Sequence, residues 1–276
     1  MTNKSLQWQS SDNLNLYAHV WEPNEQAKAV VTLVHGFGEH CMRYSPYIEY
    51  FLKQGIAFVG FDLCGHGQSD GKRGTIKSYE ALLNDVELAL SKTRELFPDI
   101  HHFIYGHSMG GNIAFNYILR RQPKLSGAII TSPWFALSND PNFLLKGAVS
   151  LLKNFFPNFT IDSGLDIKYI STVVEEVEKY RSDPLNHGRI SFRLFNDITK
   201  SGMYAIVNSK DATIPTLMFH GSADKITSPI ASKKAADGNT KLIEHVIWPD
   251  KYHELHNEDI RPEIAEKVIG WINSKI

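Results

Sequence analysis

Phe103-Ile104-Tyr105-Gly106-His107-Ser108-Met109-Gly110-Gly111 is the stretch on which the reading of this chain turns. An apolar run rich in β-formers leads into it, and a helix-forming pattern leads out. Between them Gly106, Ser108 and Gly110 spell G-x-S-x-G. A serine on so sharp a strand-to-helix turn is strained, and the backbones on either side pass close together. Only hydrogen fits as the side chain at the flanking positions. The turn holds the Ser108 hydroxyl at the end of a sheet. It also aims the Met109 N–H, in the first helical turn, at any oxyanion that develops there. Five such residues arise by chance in a long chain; the strand before and the helix after give them meaning.

The chain has 276 residues, 42% of them hydrophobic, and a net charge of −1. That suffices to bury the core of one large α/β domain with a subdomain. The balanced charge, with no long basic run, argues against nucleic acid or an anionic surface as the main partner. Met1-Thr2-Asn3-Lys4-Ser5 lacks an apolar signal core, and no stretch is long enough to span a bilayer. Cys41 and Cys64 make neither a disulfide framework nor a zinc set. Free thiols in a reducing cytoplasm are the expectation, with no metal and no cofactor. Asn158-Phe159-Thr160 is a formal glycosylation sequon, read as unmodified because a signal peptide is missing. Nothing in the sequence sets an oligomeric state.

In chain order, Ser5 to Gln9 and Leu14 to Trp21 read as an antiparallel opening hairpin. Ala29 to Val34 and Ile56 to Phe61 read as buried parallel strands, with a helix from about Tyr44 to Gln54 between them, stopped at Gly55. Ser78 caps a long amphipathic helix through Leu96, closed by Pro98. After the Ser108 turn come a helix to about Arg121 and a strand from Ala128 to Thr131. The alternation then stops, and 133–203 is helical and irregular. It resumes with a strand at Leu217 to Phe219, a short helix near Ile230 to Ala236, a strand from Leu242 to Trp248, and a helix from Pro262 to Ile276. Such alternation gives a doubly wound, mostly parallel sheet with right-handed crossovers. The expected division is a core at 1–132 and 204–276 with a helical cap inserted at 133–203.

A serine hydroxyl is a poor nucleophile at neutral pH; it needs a base, and the base needs an orienting carboxylate. Asp224 follows the strand ending at Phe219, and His253 follows the strand ending at Trp248. Both stand on loops beyond the carboxyl ends of their strands. Asp211 precedes its strand and Asp250 shares the histidine loop, so both are worse placed; His256 is the rival base. His19, His101, His102, His187 and His245 are read as surface residues. The second oxyanion donor is placed on His35-Gly36-Phe37-Gly38, directly after a buried strand, with Phe37 N–H paired with Met109 N–H.

At these residues the chain resembles the monoacylglycerol lipases, in the α/β-hydrolase branch that also holds lysophospholipases. The resemblance rests on His35-Gly36-Phe37-Gly38-Glu39-His40 with Arg43-Tyr44, on Gly65-His66-Gly67-Gln68-Ser69, and on Gly106 to Gly111. Tyr180-Arg181-Ser182-Asp183-Pro184-Leu185, His220-Gly221-Ser222-Ala223-Asp224, and Tyr252-His253 with His256 complete it. It implies an α/β-hydrolase fold with a mobile helical cap over an apolar tunnel. It also implies contacts to a glycerol end from Glu39, Arg43, His107, Tyr180 and His256. Each of these has a plainer reading: Glu39 and Arg43 as an i,i+4 ion pair, Tyr180 as packing, His256 as a surface residue. The chain departs from that pattern at Phe37, where those lipases carry alanine, and at Pro249-Asp250-Lys251, where glycine is common.

Within the expected cap, Phe143, Leu144, Leu145, Ala148, Val149, Leu151, Leu152, Phe155 and Phe156 cover most of a helix, leaving Lys146, Ser150 and Lys153 as a narrow polar stripe. A helix this apolar is usually core. Over an active site it becomes a wall for an acyl chain, with Leu145 and Leu152 as contacts, or a face that touches a membrane surface. The combined expectation is a cytoplasmic serine esterase with a small lipid or ester as partner. A monoacylglycerol is split through an acyl-enzyme; a lysophospholipid, short ester or thioester is the alternative substrate, and a non-catalytic ligand-binding module the alternative role.

Overall fold

The computed structural model describes residues 2–139 and 143–276, without the side chains of Thr2, Phe143 and Leu145. The elements are β1 (Thr2–Gln9), β2 (Asn15–Glu22), β3 (Ala29–Val34), α1 (Ser45–Leu52), β4 (Ile56–Phe61), α2 (Tyr79–Leu96), β5 (His101–His107), α3 (Met109–Arg121) and β6 (Gly127–Thr131). They continue with α4 (Phe143–Phe155), β7 (Thr160–Asp162), α5 (Val174–Ser182), β8 (Arg189–Ser191), α6 (Phe192–Asn208), β9 (Thr216–Gly221), α7 (Pro229–Asp237), β10 (Ile243–Trp248) and α8 (Arg261–Asn273).

Eight strands form one sheet in the order β1-β2-β4-β3-β5-β6-β9-β10. The pairs β1–β2 and β2–β4 are antiparallel. The five from β3–β4 to β9–β10 are parallel. The run of buried residues in β3 has a simple cause: alternate side chains enter two different layers. Val30 and Val34 join Val59, Ile104 and Ile130 beneath α2 and α3, while Val31 and Leu33 join Phe58, Tyr105 and Phe219 beneath α1 and α8. The Ser78 hydroxyl accepts from Ala81 N–H and starts α2 where the sequence placed it. This is an α/β-hydrolase architecture, with the carboxyl ends of β3, β5, β9 and β10 delivering their loops to one edge.

Two features between β6 and β9 differ from the sequence reading. A short antiparallel pair, β7–β8, was not expected; three residues per strand leave no periodicity to read. Helix α4 does not act as core: Leu144, Leu151 and Phe155, with Phe156 just after it, are more than half exposed, and Val149 is buried. Helix α6 buries Leu194 and Ile198 in the layer that also holds α3, so the end of the segment between β6 and β9 is built into the main core. Among the described residues no helix is long and apolar enough to cross a membrane.

Candidate active site

Ser108 sits between β5 and α3 with φ 53° and ψ −117°, a left-handed conformation that costs a non-glycine residue of order 1–3 kcal/mol. Its surroundings hold it there. Its N–H donates to Thr131 O at 3.0 Å, and its carbonyl accepts from Trp134 N–H at 2.9 Å. A Cβ on Gly110 would stand 2.1 Å from Val34 O, and one on Gly106 2.6 Å from Gly110 O. The glycines let α3 press against β3 and β5.

His253 donates from Nδ1 to Asp224 Oδ2 at 2.7 Å. The acceptor-only carboxylate assigns that proton, which leaves Nε2 as the free lone pair. Asp224 is itself held: Oδ1 accepts from Ile226 N–H at 2.7 Å and Thr227 N–H at 3.0 Å. His220 Nε2 lies 3.0 Å and Thr227 Oγ1 2.9 Å from Oδ2. Burial opposes the Asp224 charge, but His253 and these donors outweigh it and keep the carboxyl well below the usual carboxylate range. Burial likewise disfavours the His253 cation, yet the Asp224 charge wins and raises the imidazole above its ordinary value.

Ser108 and His253 open on a cavity of about 410 Å³. One part of its wall is apolar, with Trp134, Leu137, Leu165, Ile170, Ile190 and Phe195. Glu39 and Glu254 make another part polar. Glu39 Oε1 accepts from Gly36 N–H at 2.6 Å and from the Tyr44 hydroxyl at 2.8 Å, so the loop that carries Phe37 is fixed by this acid. Arg43 bonds Glu39 and grips Glu254 with two hydrogen bonds, at 2.8 and 2.7 Å, while its guanidinium stacks 4.6 Å over the Tyr180 ring. Tyr180 OH donates to Gly38 O at 3.2 Å, and His187 N–H donates to the same carbonyl at 2.9 Å. Tyr180 and His187, from the segment between β6 and β9, thus rest on the Phe37 loop.

The structure sorts the expected residues into layers. Gly36, Phe37, Glu39, His107, Ser108, Tyr180 and His253 line the cavity; Asp224 stands behind His253. Met109 begins α3 next to Ser108. Arg43 and His256 are not among the residues that line the cavity; Arg43 lies behind Glu39 and Glu254, which it bonds. His256 stacks on Tyr44 at 4.3 Å, neither ring nitrogen has a partner among the described residues, and burial pushes its pKa down to about 3. Among the described residues no carboxylate bonds it as Asp224 bonds His253. Leu152 is 37% exposed and is not among the residues that line the cavity. The Leu145 side chain lies outside the described residues. His187 is not a surface group: its ring meets the edge of Phe37 at 5.7 Å and His66 at 4.8 Å. His19 is buried too.

Three partners went unassigned in the sequence. Glu254 follows His253 directly, and that adjacency was its only signal. Thr227 and His220 flank Asp224, three residues after it and four before, but nothing local shows that their side chains turn toward it.

A strained serine at a strand–helix elbow, and a histidine held by a carboxylate at the same sheet edge, define an α/β hydrolase of the serine type. The Hydrolase_4 family (serine aminopeptidase, S33) matches residues 25–260, and the chain belongs to it. A Dictyostelium discoideum abhydrolase domain-containing protein is 33% identical over 279 aligned residues; the match takes in the whole of this chain but only 30% of that protein. Monoglyceride lipase of Mus musculus is 30% identical over 96% of this chain and 88% of its own. The crystal structure of Paleococcus ferrophilus monoacylglycerol lipase superposes with a TM-score of 0.87 at 29% identity, over 95% of this chain and 99% of that one.

Proposed function

We propose that this protein is a serine carboxylic-ester hydrolase that splits monoacylglycerols into fatty acid and glycerol. The observation that carries the reading is His253, held by Asp224 at 2.7 Å and opening with Ser108 on one cavity that has an apolar wall and an acidic one. His253 Nε2 takes the Ser108 proton as the hydroxyl attacks the ester carbonyl. The N–H groups of Phe37 and Met109 hold the oxyanion. His253 then protonates the leaving alcohol and activates the water that releases the acid. The mouse and Paleococcus lipases support this choice of ester by their likeness.

The acidic wall favours a neutral alcohol. Glu39 and Glu254 together carry two negative charges against the one positive charge of Arg43. A phosphate ester brought here meets net repulsion; glycerol hydroxyls meet hydrogen-bond acceptors. In this reading 133–203 acts as a cap, the exposed apolar side of α4 touches a lipid surface transiently, and the protein works in the cytoplasm.

The test is hydrolysis of 1-monooleoylglycerol, dioleoylglycerol and lysophosphatidylcholine side by side, with Ser108→Ala as control. Preference for the monoacylglycerol, and its loss in the variant with the fold intact, is the expected result. Turnover by Ser108→Ala rules out this nucleophile. A wild-type chain that fails to react with a fluorophosphonate probe is a binding module instead.

A further inference from the structure

A second cavity, of about 260 Å³, shares no wall residue with the one over Ser108. It lies where the β1–β2 turn, the β4–α2 loop and α2 meet Asn158 and Arg193 of the insertion. Asp85 of α2 lines it and is only 5% exposed. Among the described residues no hydrogen-bond donor and no cation engages the Asp85 carboxylate. The other charged neighbours are already committed. Asp12 is paired with Lys77, and Arg193 donates to the carbonyls of Ile76 and Lys77. The Cys64 thiol lines the same cavity; burial, and then the charges of Asp85, Asp12 and Asp70, push it up to about 12 and so keep it protonated.

A buried carboxylate without a partner is a poor anion: it takes a proton or it takes a cation. Burial, and then the charge of Asp12, raise Asp85 to about 7, so near neutral pH both outcomes are open to it. A bare metal ion does not suit the cavity, because among the described residues no three His, Cys, Asp or Glu side chains converge. The walls of Leu14, Ile76 and Leu82 instead suit a short hydrocarbon chain. We propose that this cavity is an accessory site for a small primary alkylammonium ion, anchored by Asp85 with its carbon chain against Leu14, Ile76 and Leu82. The ammonium supplies the donors that Asp85 lacks. Its occupant touches both the sheet core and the insertion, and therefore adds to the stability of the folded chain.

The experiment is calorimetric titration of the full chain with n-butylammonium chloride at pH 6.0 and 8.5, at constant ionic strength. The same titrations use 1-butanol as the neutral isostere and potassium chloride as the bare cation. Binding requires ionised Asp85, so affinity rises about tenfold between the two pH values as the ionised fraction climbs from roughly a tenth to nearly all. Butylammonium raises Tm; butanol and potassium do not match it. Asp85→Asn loses both the binding and the Tm shift while keeping ester hydrolysis. Equal binding of butanol, equal affinity at both pH values, unchanged binding by Asp85→Asn, or no heat at tens of millimolar ligand overturns the proposal. The pH and isostere comparisons stand on the wild-type chain alone, whether or not the variant folds.

Discussion

Glu254→Gln tests how the polar wall is held together. Arg43 is buried beneath Tyr180, and Glu254 meets it with two charged hydrogen bonds at 2.8 and 2.7 Å, with Asn257 donating to the same acid at 2.8 Å. Glutamine keeps the shape but presents an NH2 group to one of the two guanidinium donors. One charge-assisted bond is lost, at about 1.5–3 kcal/mol, and two donors are left facing each other. Glu39 still neutralises Arg43, so the full penalty of an unpaired buried cation, roughly 3–5 kcal/mol, is not reached. The expected destabilisation is about 3 kcal/mol, a fall in Tm of roughly 5 °C for a chain of this size. Urea unfolding of wild type, Glu254→Gln, Arg43→Met and the double variant measures the coupling directly; it should exceed about 1 kcal/mol. A loss below about 0.5 kcal/mol for Glu254→Gln, or additive single effects, refutes the claim that this pair holds the wall.

Four further outcomes follow from the geometry. Asp224→Asn should cost about 10³–10⁴-fold in kcat, and the pH inflection of kcat/KM should move to lower pH. The base must be neutral to act, so wild-type activity rises as pH climbs through a His253 pKa that Asp224 holds above its ordinary value; an unmoved inflection counts against the pairing. The same pair makes stability fall in acid, since the depressed Asp224 contributes above its unfolded pKa and is lost as pH drops toward the folded one; acid titration of the variant should lack that loss. Gly110→Ala places a methyl 2.1 Å from Val34 O, where backbone cannot yield, so soluble folded protein should fall sharply; a variant with unchanged Tm removes that contact from the account. Leu152→Asp, on the exposed side of α4, should leave Tm within about 1 °C and hydrolysis of soluble long and short esters equal to wild type; selective loss on the dissolved long ester would put Leu152 back on the acyl path.

Much of the site was legible because its chemistry sits on short strings beside strong strand signals. Gly106 to Gly110 announces the elbow, and the runs ending at Phe219 and Trp248 announce the loops that carry Asp224 and His253. The boundaries of β3 and β4 match the sequence reading residue for residue, since fully buried parallel strands are continuous apolar runs. Where the reading failed, the deciding contact was between residues far apart. His256 has a plainer reading as a surface residue, but Tyr44, more than two hundred positions earlier, stacks on it and it is buried. His187 looked like surface until the Phe37 loop came to rest on it.

By itself the sequence determined the class of fold, the strained serine and the loops of its partners, because each follows from local periodicity, glycine placement and chain order. Only the tertiary structure decided which way α4 faces, that Glu254 doubles the grip on Arg43, and that Asp85 lines a second cavity with no hydrogen-bond donor among the described residues. An amphipathic pattern shows that a helix has two sides, but not which one meets solvent. A carboxylate's partner, or the want of one, is set by whatever side chain the fold brings within three ångströms, and sequence separation carries no record of that.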